Sequence, residues 1–184
     1  PMMEAARMIA KSGAKPKRTI LFIGFAGEEF GLLGAQAWVK AHKDKLPKIA
    51  NLFNRDGGPE PPVGISVPQA MYDDFVKISE PIQKIRPDYP FEVKVREPRK
   101  RPTRMGGTDA SVFAIEGVPT LGFTTEDFKG YDFDYGEIWH TERDLYTKNI
   151  PEYQEHTATV TAIIALGVAN LDKQLSREGL YTEE

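Results

Sequence analysis

A nearly continuous apolar run, ILFIGF at residues 20–25, constrains the fold more than any other feature of the sequence. β-Branched and aromatic residues dominate this run, which is typical of a strand buried on both faces of a parallel sheet. Further strands are predicted at residues 48–58, 63–67, 91–96 and 118–125, with helices between them. Strands that alternate with helices predict an α/β layer sandwich.

Apolar residues at helical spacing predict the helices that accompany these strands. The first helix starts near the beginning of the chain with Met3 on its buried face. The second follows residue 27, with Phe30 and Leu33 on its buried face. The last begins at Pro151, a favoured first helical position. The third and last helices carry the clearest apolar stripes, which are Met71, Phe75, Ile78 and Ile82 in the third and Val160, Ile164 and Val168 in the last.

The composition limits the classes of partner. The 184 residues are 40% hydrophobic and 28% charged, as in an ordinary globular protein, and we predict a single domain over residues 1–184. A net charge of −3 provides no basic field, so we expect neither nucleic acid nor a membrane as a partner. The chain has no cysteine, which excludes disulfides, thiolate metal ligands and a cysteine nucleophile within it.

Acidic residues follow the predicted strands, at the carboxyl ends where α/β sheets bind ligands. Glu28 and Glu29 come directly after the first strand, and Asp56 follows the second. Asp109 precedes a short helix that leads into the last predicted strand, and His140 lies in the long loop after it. We therefore expect these five side chains to meet at one edge of the sheet.

The chemistry of this set points to a metal. Clustered carboxylates repel one another, which is costly unless a cation lies between them. Glutamate, aspartate and histidine are ligands of hydrolytic zinc sites, which keep one position open for water. A glutamate beside a ligating glutamate is placed to take the proton of that water.

Each residue taken alone has a simpler interpretation. Glu28 and Glu29 could stabilise a helix N-terminus, where negative charge contributes about 0.3–1 kcal/mol. Asp56 before two glycines could be a turn residue, and either Asp109 or Thr108 could be an N-cap. His140 could be an ordinary loop histidine. Only the joint occurrence of these residues favours a metal site.

Four sequence blocks resemble the M28 family of zinc peptidases in their order and spacing. They are RTILFIGFAGEEFGLLGA, NLFNRDGG, GGTDASVFAIEGVPTLGF and WHTERD, and together they extend over nearly the whole chain. The resemblance implies a three-layer αβα sandwich with a mixed, mostly parallel sheet. It also implies the activity of a metallo-aminopeptidase.

The resemblance implies roles for six residues. Glu28 matches the general base, and Glu29 matches a zinc ligand beside it. Asp56 and His140 match two further zinc ligands. The positions that match residues orienting the ligands or fixing a loop are Asp109 and Asp144.

The chain departs from the family pattern near its start. The two-zinc site of the family also needs a histidine in an upstream His-x-Asp segment and an aspartate that bridges both metals. The other two histidines lie in the wrong blocks: His42 is interpreted as a solvated cation and His156 as either a packed or an edge-of-core residue. We therefore expect zinc occupancy to be reduced or absent in this chain.

The resemblance further implies that the chain is the C-terminal portion of a longer catalytic domain. The portion before it would supply N-terminal strands of the sheet, one of them central. Loss of a central strand leaves unpaired backbone and uncovered apolar surface. We expect an N-terminal fragment or a second chain to complete the sheet and the metal site.

Residues near the predicted site suggest a substrate pocket. The aromatic residues could line the pocket or could fix the long loop to the core, and the sequence favours neither interpretation. Arg104 is interpreted as solvated, with a contact to a substrate carboxylate as the alternative. The aromatic residues are Tyr131, Tyr135 and Trp139, and the acidic residues that could receive a free α-amino group are Asp132, Asp134 and Glu137.

We expect a zinc exopeptidase that removes N-terminal residues from a peptide substrate, and two alternatives stay open. Trp139 directly before His140 also resembles the glutaminyl-cyclase family, which uses a single zinc ion. The missing ligands favour, for this chain alone, a metal-free domain of the same fold. Members of the resembled family are commonly exported, but the sequence itself sets no compartment.

Overall fold

The computed structural model of the protein describes residues 1–182. Along the chain these residues form α1 (Met2–Lys11), α2 (Leu33–Ala41), β1 (Pro62–Val67), α3 (Tyr72–Ile85), β2 (Glu92–Val95), α4 (Ala110–Ile115), β3 (Phe123–Thr125), α5 (Tyr135–Ile138) and α6 (Pro151–Asn170). Short 3₁₀ turns lie at Leu46–Lys48, Gln69–Met71 and Tyr146–Lys148. Within this part of the chain, no helix has both the length and the apolarity that crossing a bilayer requires.

The three strands form one mixed sheet with the order β2-β1-β3. β1 and β2 run parallel, with Ile65 opposite Val93. β1 and β3 run antiparallel, with Ile65 opposite Phe123. A parallel pair needs a crossover connection, and α3 provides it between β1 and β2.

The larger apolar cluster lies between the sheet and helices α3 and α6. The predicted stripe of α3 is confirmed, because Met71, Phe75, Ile78 and Ile82 are all buried. Burial of each such side chain contributes about 1.5–3 kcal/mol. Gly167 allows α6 to lie close to α3, since a Cβ at this position would be 2.4 Å from Cγ2 of Ile78.

A second, smaller apolar cluster is built on α2 and α4. Phe113 is its centre, because its ring lies 5.8 Å from the ring of Phe25 and 5.4 Å from that of Trp38. Ala35 and Val39 of α2 are buried in the same cluster. This second core fixes the position of the chain directly before and after Glu28 and Glu29.

The segment 49–53 lies between the two clusters. Ala50 and Phe53 pack against the larger cluster, whereas Ile49 and Leu52 pack against the smaller one. The N–H of Leu52 donates to the carbonyl of Pro119 at 2.9 Å. The chain is therefore arranged in three layers, with helices on both sides of a central layer.

The strands predicted at residues 20–25 and 48–58 are not formed within the described chain. Within residues 1–182, positions 19–25 make no backbone–backbone hydrogen bond, and positions 50–58 make only the bond from Leu52. Apolar composition favours a strand, but a strand forms only where a neighbour pairs with its backbone. Of the strand predicted at 118–125, only the residues of β3 form a strand, because only they pair with the backbone of β1.

The predicted faces of α1 and α2 are wrong. Met3 is 82% exposed and Phe30 is 83% exposed, while Ala5 is the buried residue of α1. The error at Phe30 has a clear cause, since the prediction assumed a helix running on from residue 27. The structure instead has a turn there, and α2 begins only at Leu33, after Leu32 in a left-handed conformation with φ of 60°.

The two histidines outside the predicted site have structural roles. The ring of His42 lies 4.4 Å from the ring of Trp38 at the end of α2, so His42 is half-buried rather than fully solvated. His156 is fully buried, which confirms that it is a packed residue. Its Nε2–H donates to the carbonyl of Pro62 at 3.1 Å, and its ring stacks on Tyr89 at 3.9 Å.

We predict that His156 makes the fold sensitive to acid. Burial lowers the pKa of His156 from 6.5 to about 4. Between these values the unfolded chain binds a proton that the folded chain does not, so stability falls as the pH falls. The loss is on the order of 3 kcal/mol at the lower end, from about 1.36 kcal/mol per pKa unit.

The substitution His156→Gln keeps an N–H donor and does not titrate. We expect urea midpoints measured from pH 7 to pH 4 to fall less for this variant than for the natural chain. His42→Gln is the matched control and should leave the pH dependence as it is. Equal losses for His156→Gln and the natural chain would contradict the assignment.

Candidate metal centre

A cavity of about 770 Å³ opens where distant segments of the chain meet. Its walls come from the segments 28–32, 56–59, 106–108 and 135–154. Side chains that are far apart in the sequence therefore face a common space. The predicted site residues that line it are Glu28, Glu29, Asp56, Tyr135, Trp139, His140 and Asp144.

The two adjacent glutamates lie in a tight turn that follows the apolar run. The N–H groups of Gly31 and Leu32 both donate to the carbonyl of Glu28, at 3.0 and 2.8 Å. Gly27 and Gly31 have φ values of 69° and 102°, which residues other than glycine rarely adopt. Since α2 has no acidic residue in its first turn, stabilisation of that helix does not explain the glutamates.

Glu28 lies among other acids. Partial burial raises the pKa of Glu28, and the charges of Asp56, Glu29 and Asp109 raise it further. His140 acts in the opposite direction and lowers the pKa of Glu28. The sum is a carboxyl that holds its proton more tightly than a free glutamate does, as a proton-transfer group requires.

Glu29 and His140 are in direct contact. The Nε2 atom of His140 lies 3.2 Å from Oε2 of Glu29. Two ligands at neighbouring corners of a tetrahedral zinc site are about 3.3 Å apart, given bonds of about 2.0–2.1 Å. His140 has a φ of 55°, a backbone conformation that is uncommon outside glycine. The pair therefore fits one edge of a zinc site.

Asp109 lies behind the cavity wall and is only 8% exposed. It occupies the N-cap position of α4, but its side chain makes no capping hydrogen bond, so capping does not explain this carboxylate. Its Oδ1 atom is buried and has no hydrogen-bond partner in the described chain. Burial, and then the charge of Asp56, raise the pKa of Asp109. A buried carboxylate oxygen without a partner fits a site that holds a cation or a hydrogen-bond donor.

The described chain brings together part of a set of residues that could hold a metal. Within residues 1–182, no three acidic or histidine side chains are close enough to hold an ion together. Glu29 and His140 offer two ligands, while Asp56 lines the same cavity and is exposed. The donor set fits zinc in its chemistry, but further ligands are needed to complete a site.

Tyr131 and Arg104 lie outside the cavity. The hydroxyl of Tyr131 donates to the carboxylate of Glu152 in α6, and its N–H donates to Asp127 at 3.0 Å. Tyr131 therefore fixes the long loop to α6. Arg104 is an exposed residue that does not line the cavity.

Two of the acids considered for an α-amino group already have partners. Asp134 accepts a hydrogen bond from the N–H of Gly136 at 2.8 Å and caps α5. Glu137 forms an ion pair with Lys148 at 3.2 Å and a longer one with Arg143 at 3.6 Å. Asp144 lines the cavity and is exposed, so it remains open to a ligand.

Sequence reasoning missed several lining residues. Lys148, Asn149 and Gln154 line the cavity, and so do Leu145 and Tyr146. None of these residues forms a recognisable motif, and they come together because the long loop folds back before α6. The sequence offers one indication of these lining residues: Pro151 predicts the start of α6, and the residues just before that start lie near the site.

A sequence profile of peptidase family M28 matches residues 1–164. The chain belongs to peptidase family M28. Among curated M28 relatives, carboxypeptidase Q from mouse is 24% identical over 179 residues, which are 95% of this chain and 34% of the relative. The chain thus spans about a third of the length of the curated relatives it matches first.

Solved M28 structures share the fold. A peptidase M28 precursor from Shewanella amazonensis has a TM-score of 0.71 and 26% identity, over 94% of this chain and 36% of its own. A zinc aminopeptidase from Bacillus subtilis has a TM-score of 0.64 over 98% of this chain and 43% of its own. At 17% identity, the second likeness concerns the fold alone.

We predict that the metal-free fold is destabilised by the charge of Glu28. Since the surroundings raise the pKa of Glu28, its ionised form is disfavoured in the folded chain. Glu28→Gln should therefore raise the urea midpoint at pH 7 in the presence of a chelator. The gain should shrink as the pH falls towards 4.5, the ordinary pKa of glutamate, and be lost below it, because Glu28 is then protonated in both the folded and the unfolded chain.

Glu116→Gln is the matched control, since Glu116 is exposed and lies outside the cavity. We expect it to leave the midpoint unchanged at both pH values. A lower midpoint for Glu28→Gln at pH 7 would show that Glu28 is held by a favourable contact instead.

Proposed function

We propose that the chain provides the larger part of the active site of a zinc-dependent aminopeptidase, with Glu28 as the general base. One observation carries this proposal: Glu29 and His140 are 3.2 Å apart in a cavity that Glu28 and Asp56 also line. Glutamate, histidine and aspartate around an open space are the donor set of hydrolytic zinc. Membership of family M28 supports the same chemistry.

Each residue has a distinct task in this proposal. Glu29 and His140 hold one zinc ion, and Asp56 contributes to a second. Zinc, when bound, supplies Lewis acidity towards the scissile carbonyl and lowers the pKa of water. Asp109 orients its neighbours from behind the wall, whereas Asp144 lines the cavity and stays open to the substrate instead of fixing the loop after His140. Ligands from a further polypeptide segment complete both metal positions.

Glu28 moves the proton. Its raised pKa makes it a better proton acceptor than a free glutamate near neutral pH. Glu28 takes a proton from the attacking water and later gives it to the leaving amine. Both transfers require a carboxylate that lies in the cavity without binding the metal itself.

The amino end of a peptide is the proposed point of attack. Asp144 is an open carboxylate in the cavity wall, while the cation of Lys148 is already paired with Glu137. The wall therefore attracts an α-ammonium group more than an α-carboxylate. Tyr135 and Trp139 offer apolar surface beside it, with exposures of 41% and 57%. The names of relatives point both ways, since carboxypeptidase Q and a zinc aminopeptidase both match.

We predict that a full-length protein containing this chain cleaves a peptide from its amino end. Three versions of one peptide separate the possibilities: free at both ends, N-acetylated, and C-amidated. The free and amidated peptides should be cleaved, and the acetylated peptide should not. Glu28→Gln should lower kcat by about 10²–10⁴-fold, because general-base catalysis is lost.

The same assay tests the alternatives. Cleavage of the acetylated but not the amidated peptide would indicate a carboxypeptidase. Ring closure of an N-terminal glutamine without release of a residue would indicate a cyclase. Full activity of Glu28→Gln would contradict the role of Glu28, and Glu116→Gln is again the control. Absence of both metal binding and cleavage would favour a non-catalytic domain.

We propose further that another polypeptide segment pairs with residues 19–25. In the described chain these residues make no backbone–backbone hydrogen bond, although their side chains are largely apolar. Leu21 within them is 63% exposed. Unpaired backbone next to apolar side chains is a template for an added strand. An N-terminal fragment of the same protein is the proposed partner, and it would also carry the remaining metal ligands.

We predict that hydrogen exchange detects this open edge. Amides of residues 20–25 should exchange rapidly in the isolated chain and become protected when the additional segment is present. Amides of β1, which are paired on both sides, serve as the internal control and should be protected throughout. Strong protection of 20–25 in a monomer of this chain alone would contradict the proposal.

A further inference from the structure

Gly58 is the point at which two walls of the cavity touch. A Cβ atom added to Gly58 would lie 2.6 Å from Cε1 and 2.7 Å from Cζ of Phe133. It would also lie 3.1 Å from Cδ2 of Tyr135. Carbon atoms do not approach so closely, so a side chain at position 58 would have to displace the rings of Phe133 and Tyr135, which fill the space between the loop that carries Asp56 and the loop that leads to His140.

The backbone on the Phe133 side of this contact is held in place. The N–H of Phe133 points to Oδ2 of Asp127 at 3.4 Å, and Oδ1 of Asp127 accepts from the hydroxyl of Tyr153 at 2.6 Å. Tyr153 is fully buried in α6. The N–H of Tyr131 also donates to Asp127. The segment that carries Phe133 is therefore tied to the longest helix of the fold.

The Gly58 side is also held in place. The guanidinium group of Arg55 donates to the carbonyl of Gly58 and to that of Glu60, the second at 2.7 Å. Pro59, the next residue, is buried. A displacement of either side would break several contacts, so the distance across Gly58 is fixed by both loops.

We propose that Gly58 is a positioning residue, whose missing side chain sets the separation between Asp56 and His140. Asp56 lies two residues before Gly58, and His140 follows Phe133 through the short helix α5. A side chain at position 58 would push these two loops apart. The importance of this separation for metal binding rests on the proposed function of both residues as ligands.

Gly57 provides a control at the adjacent position. A Cβ on Gly57 would meet only Nη1 of Arg55, at 3.6 Å, which is an ordinary contact. Neither glycine has a positive φ, so alanine is compatible with the backbone at both positions. Gly58→Ala and Gly57→Ala therefore differ in the clash with Phe133 and Tyr135 alone.

Relief of the clash provides a second control. Phe133→Leu removes the ring atoms nearest to the added Cβ. In the Gly58→Ala background, this second substitution should restore the separation of the loops. Rescue by Phe133→Leu would show that the clash itself causes the loss, and comparison of zinc affinity with thermal stability separates an effect on the site from a weakened fold.

The decisive experiment measures zinc affinity in a full-length protein containing this chain, by competition with a chelator. We expect Gly58→Ala to weaken zinc binding by about tenfold or more, as loss of ligand orientation does. Gly57→Ala should bind as the natural protein does, and Phe133→Leu should restore affinity to Gly58→Ala. Thermal unfolding of each variant shows whether it is folded at the assay temperature.

Backbone amide chemical shifts provide a readout that needs no metal. In the metal-free protein, Gly58→Ala should shift the amide signals of Asp56 and His140, and Phe133→Leu should return them towards their natural positions. These shifts separate the two proposals. If Gly58→Ala shifts the signals but the natural protein does not bind zinc, only the proposed function is overturned. Unchanged shifts and affinity in Gly58→Ala, equal effects of Gly57→Ala, or no rescue by Phe133→Leu would overturn the role of Gly58.

Discussion

Two apolar clusters on opposite sides of one central layer hold every wall of the cavity in place. The smaller cluster packs Phe25 and Leu32 on either side of the glutamate turn. The segment 49–53, wedged between both clusters, ends just before Asp56. The larger cluster fixes α6, and α6 holds the long loop through Tyr153 and Asp127. The site is thus the place where segments anchored in separate cores converge, which is why Glu29, Asp56 and His140 can lie on exposed turns.

The electrostatic state of the cavity is unfavourable without a cation. Glu28 and Asp109 both have raised pKa values. In each case burial is the largest cause, and the charge of neighbouring carboxylates is the second. The contact between His140 and Glu29 offsets only part of this repulsion. A fold that keeps such a cluster gives up stability at the site where function needs charge. The unpartnered oxygen of Asp109 has the same character, since burial without a hydrogen bond is tolerated mainly where function requires it.

Sequence reasoning predicted which side chains converge better than it predicted the individual strands of the sheet around them. The convergence of Glu28, Glu29, Asp56 and His140 followed from residues placed after apolar runs, and all four line one cavity. The strand at 20–25 failed because pairing depends on a neighbouring backbone, which no local pattern contains. A helix running on from residue 27 would bury Phe30. The left-handed conformation of Leu32 prevents that helix, and no sequence pattern indicates it. The lining residues after Asp144 could not be predicted, since only the tertiary path of the long loop brings them in.

Under the proposed function, the charge balance of the cavity links metal occupancy to the end of the peptide that the site accepts. Without metal, the open carboxylates repel a substrate carboxylate and attract an ammonium group, and Lys148 cannot compensate while it pairs with Glu137. Each divalent ion offsets two of these negative charges, so the preference for an amino end weakens as the metal positions fill. Carboxylates that do not bind metal, such as Asp144, must then maintain that preference. A segment that supplies further ligands would therefore change both the affinity for zinc and the charge that a substrate meets.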